Sequence, residues 1–124
     1  MFTITVQTEF CAAHTISIAG NPEPVHGHNW RVTAAVEAET LDEDGFVCDF
    51  HTVEDTLHEI ITPFINNDLN ATPPFDTLNP TAEHIAKHIA DELAAHLDEP
   101  LAPHARVAWV SITEAPGCVA TYRR

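Results

Sequence analysis

The chain has 124 residues, 44% of them hydrophobic and 19% charged, and a net charge of −14 from 19 acids against five basic residues. That length supports one domain, residues 1–124, with a core that needs no disulfide or metal staple, and the charge argues against partners bound through phosphate contacts, nucleic acid and anionic membranes alike. With no long apolar run and no charged-then-apolar leader, neither a membrane span nor a signal peptide is expected, and a soluble cytoplasmic protein is.

Residues Phe2 to Phe10 alternate Phe2, Ile4, Val6, Thr8 and Phe10 with Thr3, Thr5, Gln7 and Glu9, the period of two that predicts a half-buried strand. Trp30 to Glu39 repeats the pattern, with Trp30, Val32, Ala34, Val36 and Ala38 on the inner face and Arg31, Thr33, Ala35, Glu37 and Glu39 on the outer. The acidic turn Leu41 to Gly45 follows. After Asp49 the period lengthens, and Val53, Leu57, Ile60, Ile61 and Phe64 form one face of an amphipathic helix that ends before Asn66-Asn67-Asp68. A second helix carries Ala82, Ile85, Ile89, Leu93 and Leu97, with Asn79 as its expected N-cap, Pro80 in its first position, and Pro100 and Pro103 ending it. Arg106 to Glu114 and Gly117 to Tyr122 close the chain as a strand pair around Ala115-Pro116-Gly117. The order β-β-α-α-β-β predicts an α+β layer, two helices on one side of an antiparallel sheet.

Cys11, Cys48 and Cys118 are odd in number and far apart, and the last two lie in apolar, strand-like runs, Phe46 to Phe50 and Gly117 to Ala120. They read as buried free thiols of a reducing compartment. The nine histidines include His26-Gly27-His28 at the mouth of the second strand. Residues two apart on a strand project to one side, so both rings face one point, with Gly27 leaving room between them. An antiparallel neighbour would bring His14 alongside, and three neutral imidazoles with an open fourth position form a catalytic zinc pattern. On spacing alone, three ordinary histidines with no metal remain an equal alternative. His84 and His88, four apart on a helix, lack an evident third ligand.

The segments Phe10-Cys11-Ala12-Ala13-His14, His26-Gly27-His28-Asn29, Gly45 to Phe50, Leu69-Asn70, Asn79 to Glu83 and Val110 to Glu114 together resemble the 6-pyruvoyltetrahydropterin and 6-carboxytetrahydropterin synthases, in order and over nearly the whole chain. The resemblance implies a T-fold, a four-stranded antiparallel sheet carrying two helices, three copies closing a barrel and two barrels stacking as a homohexamer. It implies zinc (Zn2+) on His14, His26 and His28, and a small-molecule pterin whose pyrimidine edge meets Glu114, with the Thr81 region assisting across a subunit interface. A carboxylate suits that edge because two adjacent N–H donors meet its two oxygens.

Three departures narrow the chemistry. The family's usual catalytic cysteine, four residues before His-Gly-His, is Pro22, whereas a variant branch has glutamate one position later, where Glu23 stands. Those relatives cleave the side chain of dihydroneopterin triphosphate to 6-hydroxymethyl-dihydropterin, which would make Glu23 the general base. The family's Asp-His pair maps onto Ile65 and Asn66, neither able to shuttle a proton, with His51 or His84 as conceivable substitutes. A triphosphate also needs cations, and there are five. The expected activity is therefore a zinc-dependent lyase on a dihydropterin side chain. A non-catalytic pterin-binding homologue and a 6-carboxytetrahydropterin synthase of queuosine biosynthesis stand as alternatives.

Overall fold

The computed structural model describes residues 1–124. The first strand, β1 (Phe2–His14), runs antiparallel to β4 (His26–Ala38) in unbroken register from Phe2 opposite Ala38 to His14 opposite His26. Both strands extend four residues beyond the predicted ones, toward each other. The chain between them is pinned by a ribbon of two short strands, β2 (Ser17–Ile18) and β3 (Asn21–Pro22), which the sequence pattern did not announce.

Helix α1 (Phe50–Ile61) begins at Asp49, whose carboxylate accepts from the His51 N–H, and continues as a 3₁₀ turn over Thr62–Phe64. A two-residue strand, β5 (Asn67–Asp68), then lies parallel to β1 at Ala12 and Ala13. Helix α2 (Ala82–Leu101) is capped by the Thr81 hydroxyl, which accepts from the His84 N–H at 3.2 Å. The predicted cap, Asn79, instead pairs with Ser17: its amide accepts from the Ser17 N–H at 2.9 Å and donates to the Ser17 carbonyl at 3.0 Å. Pro80 thus precedes the helix, and Pro100 lies inside its last turn rather than stopping it. The closing pair is β6 (Ala105–Ala115) and β7 (Cys118–Arg123), and the main sheet runs β5-β1-β4-β6-β7. No helix is long and apolar enough to cross a membrane.

The core lies between the sheet's inner face and the two helices. Trp30, Val32, Leu57, Ile61, Ile85, Ile89, Leu93, Val110 and Ile112 are essentially sealed from water. Burying each such side chain contributes about 1.5–3 kcal/mol before the loss of conformational freedom is counted. Two positions depart from the predicted faces. Phe2 is 48% exposed, and Ala35, assigned to the outer face, is fully buried; its cross-strand partner is Trp109, with the Arg123 guanidinium 5.5 Å above the indole. The cysteines also depart: Cys11 and Cys118 are exposed, and Cys48 is half-buried in a loop, because Phe46 to Asp49 forms no strand. The outer margins of the sheet are unpaired, β1 from Phe2 to Phe10 and β7 along its length.

Candidate metal centre and ring pocket

The extended β1–β4 pairing sets His14 directly opposite His26 and puts His28 two rungs inward, opposite Ala12. All three rings are on the core side of the sheet end, where each meets a neighbour edge-on at centroid distances of 4.6, 5.1 and 4.9 Å. Trp30 lies beneath them, 4.8 Å from His14 and 5.1 Å from His28, and its indole N–H donates to the Ala12 carbonyl at 3.1 Å. One ligating atom from each of the three histidines falls within 4.8 Å of the others, so the set could hold a metal ion. Gly27 contributes less than its small size implied, since a Cβ there would meet only the Ala12 carbonyl, at 3.9 Å.

Hydrogen bonds fix how the rings present themselves. His14 Nδ1 lies 2.9 Å from the Pro80 carbonyl and His26 Nδ1 lies 2.9 Å from the Pro24 carbonyl. A carbonyl only accepts, so each Nδ1 carries the proton and each Nε2 presents a lone pair. Those two Nε2 atoms are 3.0 Å apart. Two lone pairs at that distance repel unless a cation, or a shared proton, lies between them, and this is the donor arrangement a metal site requires. Burial holds the His14 imidazole below the ordinary histidine value, the nearby rings adding to the effect against the Pro80 carbonyl and Glu114, which favours the neutral, ligating form.

The Pro80 carbonyl is itself held in place. Asn79 clamps Ser17 as described, Asn70 does the same for Thr15 by accepting from its N–H at 2.7 Å and donating to its carbonyl at 2.8 Å, and His84 Nδ1 donates to the Asn79 carbonyl at 2.7 Å. Two side-chain amides therefore substitute for a strand partner just past His14. Their only sequence signal was their place in the Leu69-Asn70 and Asn79-Pro80 segments, and periodicity carried none.

Glu114 is at a bulge of β6, between Thr113 opposite Val119 and Ala115 opposite Cys118. A bulge leaves one residue unpaired and re-aims its side chain. The Glu114 carboxylate is 3.5 Å from His14 Nε2 and 3.8 Å from His28 Nε2, half-buried, and borders a cavity of about 430 Å³ with Glu9, His28, Arg31 and Thr113. Glu23 is half-buried with a carboxylate that bonds to nothing in the chain; its N–H donates to the Ile16 carbonyl at 2.9 Å, one residue before the Pro24 carbonyl that orients His26. Thr81 adjoins Pro80, with its hydroxyl committed to the α2 cap. Of the substitute relays, His51 is exposed and pairs with Glu54 on α1. His84 is tied to Asn79, and His88 is wedged between Phe64 and Phe75, so this pair joins no ligand cluster.

A sequence model of the family described as 6-pyruvoyl tetrahydropterin synthase matches residues 3–124. A relative from Bacillus subtilis, 6-carboxy-5,6,7,8-tetrahydropterin synthase, is 30% identical over 98% of this chain and 85% of its own length. A putative 6-carboxy-5,6,7,8-tetrahydropterin synthase from Archaeoglobus fulgidus is 33% identical over 73% of this chain and 75% of its own. Among solved structures, 6-pyruvoyl tetrahydropterin synthase from Caenorhabditis elegans superposes with a TM-score of 0.85 at 20% identity, covering 99% of this chain and 95% of that one. A Plasmodium vivax 6-pyruvoyltetrahydropterin synthase with a catalytic glutamate replaced by alanine superposes at 0.80 and 19% identity, covering 99% and 97%. These superpositions establish the T-fold of the chain, and the sequence match over residues 3–124 establishes that it belongs to the 6-pyruvoyl tetrahydropterin synthase family.

Proposed function

We propose that this chain, acting as a single domain, binds a reduced pterin and cleaves its hydroxylated side chain with zinc held by His14, His26 and His28. The observation that carries the reading is the pair of Nε2 lone pairs 3.0 Å apart, each ring oriented by a carbonyl on its far side. Zinc–nitrogen bonds of about 2.0–2.1 Å in tetrahedral array separate two ligand nitrogens by about 3.3 Å, close to that spacing. Bound there, zinc would acidify a side-chain hydroxyl of the substrate.

The chain's own residues supply the remainder. Glu114 accepts the paired N–H donors of the pterin ring, the Thr81 segment borders it from a neighbouring subunit of a homohexamer, and Glu23 takes the proton of the C2′ hydroxyl. As that proton leaves, C2′ becomes an aldehyde carbon and the C1′–C2′ bond breaks. Its electron pair spreads into the C6–N5 double bond of the ring, and a proton returned to C1′ yields 6-hydroxymethyl-dihydropterin with a two-carbon aldehyde. No oxidant or reductant is needed. Supporting Glu23 are its unengaged carboxylate and the catalytic glutamate of the Plasmodium vivax protein.

A second reading, 6-carboxytetrahydropterin synthase, draws support from the Bacillus subtilis relative. Against it stand Pro22, Ile65 and Asn66 at the positions of the family's cysteine and Asp-His pair. Metal analysis, followed by incubation of the zinc-loaded protein with dihydroneopterin and its triphosphate and chromatography of the products, tests both. A 6-hydroxymethyl product supports cleavage and a 6-carboxy product supports the second reading. Pterin binding with no turnover makes the chain a non-catalytic homologue.

A further inference from the structure

The Glu114 carboxylate makes an approach that ring recognition does not use. Its Oε1 lies 3.5 Å from His14 Nε2 and 3.8 Å from His28 Nε2. The His14 proton is on Nδ1, facing the Pro80 carbonyl, so Nε2 has none to donate and the approach is not a hydrogen bond. No other group of the chain donates to the carboxylate. A carboxylate oxygen pressed against imidazole lone pairs is repelled by them unless a cation lies between.

Ligand atoms of one four-coordinate zinc are about 3.3 Å apart, and Glu114 comes near that spacing from both His14 and His28. The three histidines alone converge within 4.8 Å, so the carboxylate stands just outside the set, on its His14 and His28 side. With its side chain 31% exposed, it is free to turn inward.

We propose that Glu114 is an exchangeable fourth metal ligand. It closes the site in the ligand-free protein and leaves when the paired N–H donors of a pterin ring draw the carboxylate toward the cavity of about 430 Å³ that it borders. The proposal rests on the pterin-binding reading and deepens it. A site closed by four protein ligands is unreactive and one with an open position is catalytic, so recognition of the ring uncovers the position a side-chain hydroxyl then takes. The key that opens the site is an aminopyrimidinone edge with two adjacent N–H donors. Pterin and metal compete for one carboxylate, so each weakens the other by the same factor.

The test uses the cobalt(II)-loaded protein, whose visible spectrum reports coordination, and 6-methylpterin, which presents the ring edge but has no hydroxyl to offer the metal. Glu114→Gln should weaken cobalt binding by about tenfold or more in chelator competition and shift the visible bands. Adding 6-methylpterin should move the wild-type bands toward those of the variant and leave the variant's bands where they are. Fluorescence titration should show cobalt weakening 6-methylpterin binding by the factor that 6-methylpterin weakens cobalt binding. Glu9→Gln removes a charge from the same cavity, at a residue paired with Arg31, and should change neither spectrum nor affinity. Matching urea midpoints of the metal-free proteins separate ligation from misfolding. An equal effect of Glu9→Gln means that charge rather than ligation is being read, and overturns the proposal. A Glu114→Gln spectrum and cobalt affinity identical to wild type also overturn it, and leave the pterin reading standing where 6-methylpterin binds. Failure of 6-methylpterin to bind the protein, metal-free or loaded, overturns the pterin reading itself.

Discussion

Asn79→Ala tests whether the segment behind His14 sets the metal site. The wild-type amide makes two hydrogen bonds to Ser17, at 2.9 and 3.0 Å, and its neighbour Pro80 supplies the carbonyl that orients His14. Each bond is near solvent, so about 0.5–1 kcal/mol apiece is reasonable, and the variant should lose about 1–2 kcal/mol in urea unfolding of the metal-free protein. Loosening a group that orients a ligand ring typically weakens metal binding by about 10–100-fold, which competition with a chromogenic chelator measures directly. Asn79→Asp keeps the acceptor and loses the donor, so it should fall between wild type and Ala on both scales. The reasoning is refuted if stability drops as stated while zinc affinity is unchanged. The Pro80 carbonyl would then be held by something other than this clamp.

Glu23→Gln should lower turnover of the dihydropterin by about 10²–10⁴-fold with zinc content and pterin affinity intact, measured by single-turnover kinetics; unchanged turnover removes Glu23 from the proton path. Burial lowers the pKa of His88 below its ordinary value of 6.5, against the opposing pull of Glu92 and Asp91, with Glu59 of α1 and His96 bordering the same cavity. Because the unfolded chain then binds more protons between that lowered value and 6.5, stability should fall as pH drops through this window and level off above it. His88→Gln should flatten part of the slope in urea midpoints taken from about pH 5 to about pH 7.5, leaving the share due to His14; an unchanged slope contradicts the assignment. Only four of the 19 acids pair with Lys or Arg. Raising KCl from about 0.1 M to about 1 M should therefore raise the melting temperature by about 4 °C or more in circular dichroism, and a flat or falling response would mean self-repulsion is not limiting.

The long strands and both helices were legible because their inner faces are filled by apolar residues at strict spacing, as with Val32, Ala34 and Val36 or Ile85, Ile89 and Leu93. The ligand trio was legible only once a neighbour for His26 was assumed, and the register supplied it. What periodicity missed has a common cause. Asn79 spends its amide on Ser17 and leaves the cap to Thr81, two residues on; both are good capping residues, and the choice depends on a contact 62 positions away. Ala35 is buried by a partner on another strand, and Glu114 is aimed by a bulge, an irregularity that alternation cannot encode. The apolar company of Cys48 failed as a burial signal because its segment is a loop wrapped around Asp42, whose carboxylate accepts from the Asp44 and Phe46 N–H groups.

The unpaired margins of the sheet are different surfaces on opposite sides of one molecule, so copies that join through them do so head to tail. Such a contact terminates only when the rotation from one copy to the next divides a full circle; otherwise growth continues as a filament. Sheet curvature thus governs whether assembly is finite, and the bulges of β6, at Ala108 and Glu114, bear on it. A substitution that flattened either bulge would change that curvature, and with it the rotation that decides between closure and continued growth.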